Sequence, residues 1–447
     1  MAKQLFGTDG IRGRAGVSPL DPRTVTALGI ALAEDLQHQN LAHLPVLIGM
    51  DTRESGPAIA AQLARGLATG VRVEFAGVLT TPGVAWLTRT GNYSAGVMIS
   101  ASHNPFEDNG IKIFARTGFK LPDAEEHEVE EAIFRLMPEA DGDHAAPPLV
   151  PTRSPRAYLD FLLTTLASPQ PLAGLNIVMD CGNGAASALA PELFREAGAN
   201  VTPISNNPDG RNINLNCGAL HLETLRAQVL ASGADAGVAF DGDADRAMLI
   251  APSGRVVDGD AMLLIAAQRM QADGHLPGNM VISTVMSNLG LEKALGKLGI
   301  TMLRTPVGDK YVLEEMVRRE AALGGEQSGH IIFREYATTG DGMLTALKVL
   351  ETAARANVTL DALSAELIVY PQLLVNVRVK ERRPLEDLPR VTDEIRACEA
   401  ELNGSGRILV RYSGTEPLLR VMVEGPEHGQ VQRLADRVTV AIHADMG

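Results

Sequence analysis

Four short stretches of this 447-residue chain carry side chains able to do chemistry. In GVMISASHNPFEDNGIKIF, residues 96–114, an apolar run breaks into Ser102, His103, Asn104 and Pro105. A hydroxyl and an imidazole in the loop that ends an apolar strand are reactive candidates, at the edge where open α/β sheets bind ligands. A plain polar turn closed by Asn-Pro is the alternative. In VAFDGDADRAMLI, residues 238–250, Asp241, Asp243 and Asp245 alternate directly after another apolar run. Three carboxylates this close repel one another unless a cation neutralises them, and their hard oxygens suit magnesium or calcium. An EF-hand loop is excluded, because Arg246 stands where that loop needs Gly and Pro252 where it needs Glu.

The third stretch, GGEQSGHIIF from Gly324, sets Glu326, Ser328 and His330 in a Gly-rich turn before a strand. Such donors and acceptors suit sugar hydroxyls, which glycines let the backbone approach closely. The stretch does not fit the G-x-S-x-G nucleophile elbow, and GLEKALGKL at Gly290 has the wrong spacing for a Walker A loop. The fourth, RYSGTEPLLR, has Arg411 and Arg420 flanking a tight turn that contains Ser413 and Thr415. Bidentate guanidinium donors beside hydroxyls and turn N–H groups make a phosphate pocket; a simple hairpin is the alternative.

The elements that must carry these loops follow from periodicity. Segments beginning at Leu44, Leu175 and Asn279 each run as apolar strand, polar turn, helix, Gly and second strand, the unit of a mostly parallel sheet. A Pro-rich and acidic linker, MPEADGDHAAPPLVPTRSP, interrupts the chain from Met137. After Tyr370 the order changes to strand, helix, two strands and helix. The expected fold class is therefore α/β: three related α/β domains with mixed, mostly parallel sheets, at 1–150, 151–253 and 254–369, plus a C-terminal α+β domain at 370–447.

The length requires several cores, and 45% hydrophobic with 21% charged residues is ordinary globular composition. A net charge of −14 disfavours nucleic acid as a partner, since binding it needs clustered cations, but leaves a local phosphate pocket open. Cys181, Cys217 and Cys398 lie far apart with no C-x-x-C pair, so neither a disulfide framework nor a zinc site is expected. No apolar run approaches the ~20 residues that span a bilayer, and no signal-like N-terminus is seen. A cytoplasmic protein without a membrane partner is the expectation.

Taken in order, the four loops and the opening FGTDGIRG resemble the α-D-phosphohexomutase superfamily over essentially the whole chain, and SASHNP, GGEQSGH, TTGDGM and RYSGTEPLLRVMVEG resemble its phosphoglucosamine mutase branch. The resemblance implies four domains around a central cleft and a phosphoserine at Ser102. It implies one magnesium ion per chain, held by that serine's phosphate and by Asp241, Asp243 and Asp245. It places Arg12, Lys112, His103, Arg246 and His330 around the reacting oxygen, with their division into acid, base and charge stabiliser open. Glu326 and Ser328 would bind the sugar, and Arg411, Ser413, Gly414, Thr415 and Arg420 the phosphate that is not reacting. Asp309 stands where relatives acting on neutral hexoses tend to have His; its carboxylate could pair with a 2-ammonium, with Lys310 next door as a competing partner.

The reaction so implied interconverts glucosamine 6-phosphate and glucosamine 1-phosphate through glucosamine 1,6-bisphosphate, as intermediate and activator, and feeds UDP-N-acetylglucosamine and cell-wall precursor synthesis. A phosphoglucomutase or phosphomannomutase on the same fold, a metal-dependent phosphatase and a non-catalytic sugar-phosphate sensor are the alternatives. A phosphosugar is the expected small-molecule partner, and a homodimer is one option for the assembly. Against the commoner DGDGDR, the loop here reads DGDADR, so Ala244 replaces a glycine whose value would be backbone freedom.

Overall fold

The computed structural model describes residues 4–7, 9–142, 145–152, 154–413 and 418–446. The chain forms two compact units, one of residues 1–286 and 300–365, the other of residues 287–299 and 366–447.

The first unit carries three mixed sheets. In the first, β1 (Phe6–Gly7), β2 (Gly10–Arg14), β3 (Val46–Met50), β4 (Val73–Val78), β5 (Ala95–Ile99) and β6 (Asp108–Ala115) take the order β1-β2-β6-β5-β3-β4. β3 pairs in parallel with β4 and β5, and β6 returns antiparallel to β5. The second sheet has β7 (Asn176–Asp180), β8 (Asn200–Ile204), β9 (Ala236–Phe240), β10 (Ala247–Ile250) and β11 (Val256–Val257), ordered β11-β10-β9-β7-β8. Again β7 pairs in parallel with β8 and β9, and β10 returns antiparallel to β9. The third sheet, β13-β12-β14-β15, repeats the scheme with β12 (Met280–Thr284), β13 (Thr301–Thr305), β14 (Leu323–Gly325) and β15 (Ile331–Phe333).

The strands form where the sequence places apolar runs, and some are buried along their length: β5 and β9 are buried at every residue. Near-continuous apolar runs of this kind mark strands covered on both faces. The run 236–250 is two strands, because the aspartates between Phe240 and Ala247 turn the chain back on itself. The same event recurs at the other sheets. In each, the last strand of the parallel core leads through a polar loop into an antiparallel return: 100–107 between β5 and β6, 241–246 between β9 and β10, and 326–330 between β14 and β15.

In the second unit β16 (Gln372–Arg378), β17 (Arg407–Tyr412) and β18 (Leu418–Glu424) form an antiparallel sheet, β16-β18-β17. The helices Pro389–Leu402 and His428–Met446 bury Val391, Cys398, Leu402, Val431, Leu434 and Val438 in a common core with Val421 and Val423 of β18. All three cysteines are buried and free. Among the described residues no helix is long and apolar enough to cross a membrane.

Candidate active site

The three return loops of the first unit deliver their side chains to one place. Ser102 is buried and adopts a left-handed backbone at φ +53°, a conformation that costs an L-residue about 1–2 kcal/mol and persists only when its surroundings impose it. The surroundings are specific. Its N–H donates to Ser100 Oγ at 2.9 Å, whose hydroxyl donates to Asp51 Oδ2 at 2.6 Å. Asp51 is paired with the fully buried Arg53, which donates to the carbonyls of Ser102 and Asn104 at 2.9 Å and of Pro105 at 2.5 Å. Burial raises the Asp51 pKa against the pull of Arg53 and Ser100. Replacing Arg53 by Met should therefore leave the buried Asp51 carboxylate without its cation and the Pro105 carbonyl without this donor, lowering stability in denaturant titration by about 3–5 kcal/mol. A loss below about 1 kcal/mol, the scale of an exposed ion pair, would show that this clamp does not hold the loop.

The Ser102 hydroxyl donates to Asp241 Oδ2 at 2.5 Å, which joins the loops of the first and second sheets at this hydroxyl. Gly242 sits where a Cβ would lie 2.5 Å from the Ser102 carbonyl, so the aspartate loop reaches the serine only because this residue has no side chain. Ala244 holds the loop's turn at φ +53°, so the substituted position does require the left-handed region, and alanine carries it.

Asp241, Asp243 and Asp245 are all buried, with one oxygen of each lying within 4.8 Å of the others. Asp243 Oδ2 accepts from Thr81 Oγ1 at 2.6 Å and from Lys112 Nζ at 2.9 Å, and Lys112 also meets Asp245 Oδ2 at 3.1 Å. Asp243 Oδ1 and Asp245 Oδ1 are buried with no hydrogen-bond donor. Buried carboxylate oxygens left in that state are costly unless a cation takes them, so the residues present fit a divalent metal.

Electrostatics sort these groups. Burial, then the charges of Asp245 and Asp243, push the Asp241 pKa well above the carboxylate range. Burial acts the same way on Asp245, but Lys112 and His330 outweigh it and hold that group well below. Burial opposes the charge of Lys112, yet Asp243, Asp245 and Asp9 keep it well above an ordinary lysine. Burial, Arg246 and Arg12 depress His103 to about 4, so it is neutral at pH 7. Its Nδ1 lies 3.2 Å from the Arg246 guanidinium and 3.3 Å from Ser102 Oγ. Because Arg246 can only donate, that nitrogen is an acceptor.

His330, from the third return loop, is buried with Nδ1 3.6 Å from Asp245 Oδ1. The Gly340 N–H points at its Nε2 at 2.9 Å, which places the ring proton on Nδ1, facing Asp245; a side chain at Gly340 would collide with the ring at 2.5 Å. The TTGDGM stretch thus orients the histidine. Glu326 accepts the Gly308 N–H at 3.1 Å and the Ser328 hydroxyl at 3.3 Å. Arg12 pairs with Asp9, which also meets Lys112 at 3.2 Å and Lys120. Asp309 pairs with Lys120 and lies 3.5 Å from His330 Nε2. Lys310, the neighbour in sequence, reaches Asp123 at 2.6 Å and Glu126 instead. Successive helix residues do not face one another, and Asp309 and Lys310 open the helix Asp309–Arg319.

Sequence reasoning had no signal for Asp9, Arg53, Thr81 or Lys120, which act across long chain separations. Asp9 lies within FGTDGIRG, whose resemblance to the superfamily's opening marks the segment but not this contact.

The second unit holds its own cationic pair. Arg411 on β17 lies directly opposite Arg420 on β18, and Arg420 donates to the buried Ser413 hydroxyl at 3.2 Å. Burial and the charge of Arg420 lower the Arg411 pKa. Like charges opposed across a ladder are unfavourable without an anion between them. Gly414 and Thr415, assigned to the same loop, lie outside the described residues.

Comparison with known proteins agrees over the whole length. Family models for the phosphoglucomutase/phosphomannomutase α/β/α domains I, II and III match residues 3–139, 156–254 and 258–370, and the model for the C-terminal domain matches 374–441. The phosphoglucosamine mutase of Solibacter usitatus is 58% identical over all of both chains, and that of Koribacter versatilis is 48% identical over 100% of this chain and 98% of its own. Among solved structures, a phosphoglucomutase/phosphomannomutase family protein from Burkholderia thailandensis superposes with a TM-score of 0.80 at 24% identity, covering 100% of this chain and 98% of its own. The Aspergillus fumigatus N-acetylphosphoglucosamine mutase, solved with GlcNAc-6P and magnesium, gives 0.66 at 19% identity, covering 99% and 96%. The two structures share the fold.

Proposed function

Since the chain belongs to the phosphoglucosamine mutase family of the α-D-phosphohexomutase superfamily, we propose that it carries out the family's reaction through a phosphorylated Ser102. The enzyme is an isomerase that interconverts glucosamine 6-phosphate and glucosamine 1-phosphate. In the proposed route the phosphoserine gives its phosphoryl group to O1 of glucosamine 6-phosphate. The resulting 1,6-bisphosphate turns over in the site and returns its 6-phosphoryl group to Ser102. The observation that carries this reading is the Ser102 hydroxyl at 2.5 Å from Asp241, inside a cluster of three aspartates with unsatisfied oxygens.

Asp241, Asp243 and Asp245 would hold one magnesium ion, which when bound neutralises charge on the transferring phosphoryl oxygens. The remaining work belongs to the side chains. Lys112 stays cationic between Asp243 and Asp245 and balances the carboxylates on the face of the loop where Thr81 also donates. Arg12 and Arg246 supply fixed positive charge near the reacting oxygen, and neutral His103 accepts beside it. Glu326 and Ser328 take the sugar hydroxyls. Asp309 favours an amino sugar, with Lys120 holding its carboxylate until a substrate ammonium arrives. A phosphosugar as small-molecule partner and a cytoplasmic setting belong to the same proposal. The domains we propose are 1–150, 151–253, 254–369 and 370–447.

The test is the intact mass of the purified protein followed by peptide mapping. One phosphoryl group on the Ser102 peptide, lost on reaction with glucosamine 6-phosphate and regained from the bisphosphate, is the expected result; a chain that turns over without ever carrying it overturns the route.

Arg411, Ser413, Gly414, Thr415 and Arg420 are assigned to the phosphate that is not reacting. Replacing Arg411 by Ala should raise KM for both the 1-phosphate and the 6-phosphate by roughly 2–4 kcal/mol of binding, as for truncating a charge-assisted contact. Steady-state kinetics in both directions check this, and an effect confined to one isomer would contradict a single pocket serving both orientations.

A further inference from the structure

The Ser102 loop is clamped a second time, from outside its own sheet. Asn214 belongs to the segment that connects β8 to the helix Glu223–Ser232 of the second sheet. It is buried, and its amide nitrogen donates to the carbonyls of Ser102 at 2.9 Å and of Asn104 at 3.1 Å. These are the two carbonyls that Arg53 grips from the first sheet, so each accepts two donors, one from either side.

Asn214 is itself fixed. Its N–H donates to the Gly182 carbonyl at 2.9 Å, and its backbone is left-handed at φ +57°, a region that asparagine tolerates better than most residues. Arg53 can shape the loop, since it belongs to the same sheet as Ser102. It cannot set where that loop stands relative to Asp241, which belongs to the second sheet. Asn214 is anchored to the second sheet and bonded to the serine's own carbonyl, so it can.

We propose that Asn214 is a positioning residue for phosphoryl transfer: it registers the Ser102 oxygen against the aspartate cluster. This rests on the phosphoserine reading above. It gives Asn214 a role separate from fold stability, because the loop keeps its Arg53 clamp without it.

Two variants isolate that role. Asn214→Gly removes the side chain while keeping the left-handed backbone available. Asn214→Asp is isosteric and tolerates the same backbone, but turns an acceptor toward two carbonyls. Both should lower kcat for glucosamine 6-phosphate at least tenfold with KM changed less than threefold, since a misplacement on the ångström scale costs up to about a hundredfold in rate. In a single turnover, followed by mass, phosphate should leave the Ser102 peptide slower by the same factor, with the thermal midpoint of Asn214→Gly close to that of the unmodified protein. A kcat within twofold of normal in Asn214→Gly overturns the proposal. So does a loss of activity that only tracks the fraction of folded protein, or a normal single-turnover rate. The unmodified protein in the same experiment keeps the two readings apart: absence of phosphate on its Ser102 peptide defeats the phosphoserine route, whereas its presence with unimpaired transfer in the variants defeats the role of Asn214 alone.

Discussion

Ser102→Ala should fold normally and lose nearly all turnover. Both residues are L-amino acids in the same left-handed conformation, so the substitution adds no backbone strain, and the Arg53 contacts to the loop carbonyls are untouched. What disappears is the hydroxyl placed 2.5 Å from Asp241, and with it the proposed covalent acceptor. His103 does not replace it, because its Nδ1 is engaged by Arg246. Covalent catalysis without its nucleophile falls to the residual rate that binding and charge stabilisation provide, so a loss of several orders of magnitude in kcat is expected, with thermal stability nearly unchanged. Coupled assay of glucosamine 1-phosphate formation and calorimetry check the two halves. Near-normal isomerisation would falsify the phosphoserine route, and prompt release of inorganic phosphate by the unmodified enzyme without isomer would favour a phosphatase.

Asp243→Asn attacks the same centre from the opposite side. Asp243 accepts from Thr81 and Lys112 through one oxygen and leaves the other buried without a donor. An amide in its place removes one negative charge from a site suited to a divalent cation, and in one of its two orientations it turns an NH2 toward the Lys112 ammonium. Lys112 keeps Asp245 and Asp9, so the fold should survive. Magnesium affinity should fall, and kcat should drop by about 10²-fold or more at saturating metal, the scale seen when a preorganised charge-stabilising group is lost. A magnesium titration of activity, paired with calorimetric metal binding in the absence of substrate, separates the two effects. Full activity in excess chelator would show that the aspartates serve another purpose.

Much of this centre could be read from residue types. Ser102, the three aspartates and Glu326, Ser328 and His330 announce themselves because each group is polar where an apolar strand ends, and the sheets place those strand ends in equivalent positions. The strands themselves were visible as runs of buried apolar residues. Illegible were the residues whose meaning depends on contact at a distance. Asp51 and Arg53 sit in DTRESG, which reads as an ordinary polar turn, yet they form the buried pair that shapes a loop some fifty residues away. Lys120 and Asp309 are 189 positions apart, and no periodicity links them; proximity in sequence pointed to Lys310, which helix geometry turns elsewhere. The Gly340 contact that sets the His330 ring was present in the sequence as a motif, but its purpose needed the third sheet to be folded.

The division of the centre among successive return loops also fixes when, during synthesis, Ser102 acquires its partner. Ser102 and the Arg53 that shapes its loop lie in the same sheet and leave the ribosome early. Asp241 follows 139 residues later, which at 5–20 residues per second is an interval of roughly 7–28 s. Throughout it the emerging chain carries Ser102 without the carboxylate that accepts its hydroxyl in the finished fold. An unfinished polypeptide therefore has the serine but not the aspartate cluster beside it.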